Sequence, residues 1–209
     1  MAWIVALISQ KGGVGKSAVA RALAREATNG DIKTKLADLD LEQATSAEWH
    51  RRRLASGLPP AASVEIFPTA KAAISATGDS DLLIIDGPAR ASKGTSEIAK
   101  VADLIVQPTG ASLDDLVPAI KVFNALVKDG VPRSKLVFAL SRVGTDAEEA
   151  EARYYIEQTG YETLAGCLFE KPAYRKAMNS GLAVTETRYK GLNERADELI
   201  QALIDKIGD

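Results

Sequence analysis

Three groups of residues in this chain have the types and spacing to act on a phosphate. The first is the loop Ser9-Gln10-Lys11-Gly12-Gly13-Val14-Gly15-Lys16-Ser17. Its glycines let backbone N–H groups turn toward an anion with no Cβ in the way. Lys16 is spaced to reach the outer phosphates, and Ser17 to offer its hydroxyl to Mg2+. Gly12, Gly13, Val14, Gly15, Lys16 and Ser17 are therefore expected to hold a nucleotide. The common form of this loop, GxxxxGK[ST], has glycine at position 10, where this chain has Gln10 followed by an extra lysine, Lys11. The second group is acidic. Asp86 closes the apolar run Leu82-Leu83-Ile84-Ile85, as an acid supporting Mg2+ and its waters does, and Asp38 and Asp40 end another run. The third group, Lys171 to Lys190, is basic: Lys171, Arg175, Lys176, Arg188 and Lys190 stand against one acid, Glu186.

Such chemistry needs a strand entering the loop and a helix leaving it. The apolar run Trp3–Ser9 and the Ala-rich pattern Ser17–Thr28 supply both. Further strands are expected over Thr34–Asp38, Val64–Phe67, Leu82–Asp86, Leu104–Gln107 and Leu136–Ser141. Helices are expected over Thr45–Ser56, Ala70–Ala76, Ser96–Val101, Leu113–Lys128, Ala147–Thr159 and Asn193–Ile207. Ser112 and Asp115 read as a helix-capping pair, and Pro118 should kink the helix that follows. Alternating strands and helices predict an α/β fold of the P-loop NTPase type, a mostly parallel twisted sheet with helices on both faces. Ligands of such sheets gather at the carboxyl ends of the strands, where the loop and the three acids fall. Residues 1–209 read as one domain, with no repeat and no long linker.

Composition narrows the function classes. The chain is 46% hydrophobic, enough for a substantial core, and no apolar run approaches the roughly 18–20 residues that span a membrane. It has no signal-peptide pattern and reads as soluble and cytosolic. Cys167 is alone, which leaves no thiolate cluster or disulfide framework, and it reads as a buried hydrophobe. The one histidine, His50, has no metal-ligand partners nearby and belongs to His50-Arg51-Arg52-Arg53, a basic helix end that suits the helix dipole. Trp3 and Trp49 read as packing residues. A net charge of −2 argues against a uniformly basic nucleic-acid binder and leaves a local basic patch open. Gly13 to Ala18 also satisfies the dinucleotide pattern GxGxxA, with Asp38 about 20 residues on as a ribose-binding acid. A lysine inside that fingerprint, and the Asp86 carboxylate left without a task, count against it.

Gln10-Lys11-Gly12-Gly13-Val14-Gly15-Lys16-Ser17 resembles the deviant Walker A box, xKGGxGK[ST], of the ParA/MinD group of P-loop ATPases. Asp38-Leu39-Asp40 with Gln43 resembles the group's Walker A′ box, DxDPQ, although Leu41-Glu42 intervene before the glutamine, and Asp86 its Walker B acid. The likeness continues through Gln107-Pro108-Thr109, after the fifth strand, and Arg142, after the sixth. It implies ATP and Mg2+ as cofactors, with Ser17 and Asp86 at the metal and Pro108 among the nucleotide contacts. It implies an ATP-dependent homodimer in which Lys11 reaches the partner subunit's phosphates. It gives Lys11, Lys16 and Asp40 catalytic roles; Asp40 orients the attacking water, with Asp38 the alternative.

Members of the group differ in what the ATP dimer binds. The C-terminal pattern has core-helix spacing and a mostly acidic polar face, so it reads as packed on the domain and not as a membrane helix. A single cysteine excludes a cluster-bridged reductase. The basic stretch from Lys171 to Lys190, doubled in a dimer, suits nonspecific DNA. The likeness is therefore strongest to a short ParA-type partition ATPase without an N-terminal helix-turn-helix. Such a protein is cytoplasmic, nucleoid-associated in its ATP state, and stimulated by a ParB-like or other adaptor, with no membrane partner. Two other readings stay open: a MinD-like membrane-recruited ATPase, and a metabolic enzyme of the dethiobiotin-synthetase type.

Overall fold

A computed structural model describes residues 2–88 and 93–208. The chain runs β1 (Trp3–Leu7), α1 (Lys16–Asn29), β2 (Thr34–Asp38), α2 (Thr45–Ala55), β3 (Ser63–Ile66), α3 (Ala70–Ser75), β4 (Leu82–Asp86) and α4 (Lys93–Val101). It continues through β5 (Leu104–Thr109), α5 (Leu113–Lys128), β6 (Leu136–Val143), α6 (Asp146–Glu157), β7 (Glu162–Thr163), β8 (Leu168–Phe169), α7 (Pro172–Asn179) and α8 (Lys190–Gly208). Every expected strand and helix is present. The additions are β7, β8 and α7, the strands too short to show a period.

The sheet is parallel throughout, in the order β3-β2-β4-β1-β5-β6-β7, with β8 paired to β6. Side chains alternate across it as the pleat requires. Ala6, Ile8, Leu83 and Ile85 pack with α3, α4, α5 and α6, while Val5, Leu7, Leu82 and Ile84 pack with α1, α2 and α8. Helices therefore cover both faces, which is why the central strands are apolar runs. β1 lies between β4 and β5, so the loop that follows it opens at the middle of the sheet's carboxyl edge.

Three expectations change. Gln107-Pro108-Thr109 lies within β5 and Arg142 within β6, not after them. Pro108 is tolerated there because its missing N–H falls on the β1 side, beyond the last paired residue, Val106. Arg142 sits at a register shift with φ of 58°, a bulge that aims its side chain back over the glycine loop. Trp49 is fully buried and donates its indole N–H to the Leu182 carbonyl, whereas Trp3 is 46% exposed, so the packing expectation holds for Trp49 alone.

The C-terminal helix is packed on the domain as expected. Ala196, Leu199, Ile200 and Leu203 are buried in the core shared with α1. Among the described residues, no helix is long and apolar enough to cross a membrane.

Candidate nucleotide-binding site

β1 stops at Leu7 because the chain turns into the glycine loop. The Ser9 hydroxyl accepts the Lys11 N–H at 3.0 Å and closes the first turn. Gly13 and Gly15 take positive φ, 77° and 93°, which an L side chain adopts only at a cost. A Cβ at Gly15 would also come within 2.4 Å of Ser141 Oγ. α1 starts at Lys16, so its free N–H groups face the loop's concavity. That concavity opens into a cleft of about 310 Å³ lined by Gly13, Lys16, Ser17, Asp40, Thr45 and Asp86. The structure thus brings the predicted loop and two of the predicted acids to one cavity. Lys16 is buried there; desolvation lowers its pKa, and Asp86 and Asp40 act against that.

The three acids differ in what their oxygens hold. Asp38 is spent on structure: Oδ2 accepts from the N–H groups of Ser46 (2.8 Å) and Ala47 (3.2 Å), and Oδ1 from Asp40 N–H. It caps α2, whose own cap position is Ala44, a residue with no side-chain acceptor. Asp38 is also 1% exposed, so it presents no oxygen to a ribose, which counts against the dinucleotide reading. Asp40 is half-buried at the cleft wall, where, among the described residues, Oδ1 alone accepts, from Glu42 and Gln43 N–H. The segment that breaks the DxDPQ spacing is therefore wrapped around Asp40, which stays in the wall of the cleft.

Asp86 is 2% exposed. Oδ2 accepts the Ser46 hydroxyl at 2.7 Å, and Oδ1 is buried with no hydrogen-bond partner among the described residues. Burial pushes this carboxyl above its usual range; the nearby Ser46 and Ser17 hydroxyls pull it back, Asp38 pushes it further, and Arg21 lowers it. A buried carboxylate oxygen with no close hydrogen bond among the described residues, and the Ser17 hydroxyl near it, are what a hard cation with a water shell fits. Among the described residues, no group of three or more His, Cys, Asp or Glu could hold a metal alone. Ser46, which bonds both Asp86 and Asp38, and Arg21, which bonds Ser46, belong to no motif and escape sequence reasoning.

Lys11 is turned toward its own chain. Its Nζ lies 2.5 Å from Asp115 Oδ1 and 3.3 Å from the Asp114 carbonyl on α5. That carbonyl is free because Pro118, four residues on, has no N–H to give it. The Ser112–Asp115 pair also differs from the expected cap: Ser112 makes no cap bond and donates to Asp115 Oδ2 instead. Gly110 leaves the room that the Asp115 carboxylate occupies. Pro108 lines a narrow gap beside Lys11 and Asp115, apart from the phosphate cleft.

A second cleft of about 330 Å³ adjoins the first across Gly13 and Gly15, walled by Ser141, Arg142, Phe169, Glu170, Lys171 and Tyr174. It has the size and the apolar-polar mixture for a base and sugar. Sequence reasoning missed it, because its walls come together only through β6, β8 and α7. Arg142 bridges its rim, donating to Glu170 at 2.6 Å and to the Gly13 carbonyl at 3.2 Å.

The basic residues expected to form one patch are divided by α7. Lys171 and Arg175 face the second cleft, and Arg175 is paired with Glu170. Lys176 and Arg188 line a separate groove with Tyr189, over which the Arg188 guanidinium stacks at 4.8 Å. Lys190 is 91% exposed and pairs with Glu194. Glu186 is not their counter-charge; it bonds Arg53 and Arg25. Arg53, read as part of a basic helix end that suits the dipole, is 2% exposed.

The nucleotide-binding domain described as CobQ/CobB/MinD/ParA matches residues 5–184. The chain belongs to the CobQ/CobB/MinD/ParA nucleotide-binding family. No curated protein sequence matches it significantly. Among solved structures it is similar to the cell division ATPase MinD of Pyrococcus furiosus, with a TM-score of 0.77 and 20% identity over 98% of this chain and 99% of that one. It is similar to a putative plasmid partition protein of Borrelia burgdorferi bound to AMPPNP, with a TM-score of 0.76 and 15% identity over 99% and 100%. It also resembles cobyrinic acid a,c-diamide synthase of Mycobacterium smegmatis with bound ADP and magnesium, with a TM-score of 0.65 and 16% identity over 98% and 96%. These likenesses establish the fold. Within the ParA/MinD-type family, the glycine loop and Asp86 of this chain stand where its parallel sheet opens.

Proposed function

We propose that this chain is an ATPase that dimerises with ATP, binds DNA nonspecifically in that state, and lets go after hydrolysis. The observation that carries the reading is the cleft in which Lys16, Ser17, Asp40 and the unpartnered Asp86 Oδ1 converge. Ser17 and, through water, Asp86 would hold magnesium, which would supply charge neutralisation at the phosphates. The backbone from Gly12 to Ser17 cradles the phosphates, Lys16 faces the outer ones, and Arg142 and Phe169 enclose the base side. Phosphoryl transfer demands mainly positioning and charge neutralisation. Asp40, the acid with an oxygen to spare, orients the attacking water. Lys11 leaves α5 to meet the partner subunit's phosphates, so nucleotide binding and dimerisation are linked equilibria.

Support for DNA as the partner comes from the exposed charges of Lys171, Lys176, Arg188 and Lys190, doubled by a dimer. With Arg175 and Lys190 paired to acids, Lys176 and Arg188 are the stronger contacts. Such a switch would position DNA or another cargo in the cytoplasm, with an adaptor of the ParB kind stimulating hydrolysis. The deciding experiment is retention of random-sequence DNA with no nucleotide, ADP and ATP. Retention with ATP alone supports the proposal. ATP-dependent retention on anionic vesicles without DNA binding replaces it with a membrane-recruited ATPase. ATP-driven phosphorylation of a small molecule by a monomer replaces it with a metabolic enzyme.

A further inference from the structure

Arg21 lies outside every motif in the sequence, yet it is 7% exposed and borders the phosphate cleft. It follows Ser17 by four residues on α1, so the two project from the same face of the helix. Arg21 Nε donates to Ser46 Oγ at 3.1 Å, and Ser46 Oγ stands 2.7 Å from Asp86 Oδ2. The direction of this chain is fixed by chemistry. A guanidinium can only donate, so the serine oxygen accepts from it and has its one proton left for Asp86. Asp86 Oδ2 is thereby engaged, while Oδ1, also buried, stays without a hydrogen-bond partner among the described residues. The guanidinium is held from behind by the buried Trp49 ring, 5.6 Å from its carbon. Burial lowers its pKa to about 10, with Asp86 and Asp38 acting against this, so the group is charged at neutral pH.

We propose that Arg21 is a positioning residue for magnesium: by setting the direction of the Ser46 hydroxyl it holds Asp86 with Oδ1 toward the metal's water shell. The proposal rests on the magnesium–nucleotide reading above. Residues that orient a metal's supporting acid commonly change metal affinity by roughly 10–100-fold when removed. The test is titration of a fluorescent ADP analogue onto the wild type, Arg21→Gln, Ser46→Ala and the double variant, over a series of Mg2+ concentrations and in EDTA. The Mg2+ midpoint of Arg21→Gln is expected to rise at least about tenfold, with affinity in EDTA unchanged. Ser46→Ala should give a similar rise, and the double variant no further one, since both act along one chain. Arg21→Lys, which keeps a charged donor without the planar fork, should recover part of the loss. An unshifted midpoint in Arg21→Gln, or additive losses in the double variant, overturns the proposal while leaving the magnesium site standing. A wild type whose ADP affinity ignores Mg2+ overturns both. Should Arg21→Gln fail to fold, Ser46→Ala alone decides: no shift in its midpoint overturns the proposal.

Discussion

Asp38 and Asp40 are two residues apart, and burial and hydrogen bonding separate their work. Asp38 is buried with both oxygens bonded to backbone N–H groups, whereas Asp40 lines the cleft with, among the described residues, one oxygen bonded. Asp40→Ala should therefore slow phosphate release by about 100-fold or more and let an ATP dimer accumulate, as read by size exclusion. Asp38→Ala should lose the cap of α2 and about 1 kcal/mol or more of stability, seen as a lower Tm. Lys11 faces a different competition. Its contact with Asp115 is half-exposed, and such pairs contribute about 0.2–1 kcal/mol. Asp115→Asn should release Lys11 and tighten the ATP dimer by roughly two- to fivefold, measurable by sedimentation. An unchanged dimer constant would show that the cis contact does not oppose dimerisation.

At the scale of elements, α2 is held at both ends. Its start hangs on Asp38, and its end on Arg53, which bonds Glu186, the Gly181 carbonyl and the Pro59 carbonyl. Gly181 is required where these segments meet, since a Cβ there would lie 2.4 Å from the Arg53 backbone. Burial pushes the Glu186 carboxyl up, but the hydrogen bonds from Arg53 and the Ala183 N–H outweigh it and leave its pKa below the usual value of 4.5. A depressed acid stabilises the fold at pH values above its unfolded pKa, and that contribution disappears as pH falls through the native value. Glu186→Gln should cost about 3 kcal/mol at neutral pH because it leaves Arg53 buried and unpaired. The Tm gap to the wild type should stay full above roughly pH 5 and close below it. A gap independent of pH would mean that the bonds to Arg53 do not depend on the carboxylate charge.

For the whole molecule, the sheet order sets β1 between β4 and β5, bringing the loop, Asp86 and Asp40 to one edge although they come from separate parts of the chain. α7 lies beside the site and has two basic sides, one toward the nucleotide and one toward the outer groove. Under the proposed function, nucleotide state and DNA contact meet at one short helix. Lys176→Glu with Arg188→Glu should weaken DNA retention at unchanged ATP affinity. It should also flatten the salt dependence by roughly 0.9 in log–log slope per lost phosphate contact. Arg175→Glu should do less, because Glu170 already holds that guanidinium. Equal effects from both variants would restore the single patch.

The sequence by itself determined the strand–helix alternation, the glycine loop, the buried acid and the family likeness. These are local signals: a period of two or 3.6, a glycine where φ must be positive, a lysine at fixed distance from the glycines. Boundaries were legible to within a few residues, except for β7, β8 and α7. The tertiary structure alone decided which atoms are already spoken for. Lys11 meets an acid 104 residues away, at a carbonyl freed by a proline whose expected consequence was a kink. Arg21 finds Ser46 across 25 residues, and the second cleft joins Gly13 to Glu170. Hydrogen-bond capacity and burial are settled by neighbours distant along the chain, so Asp38 and Asp40 could be recognised as a pair from the sequence but not told apart.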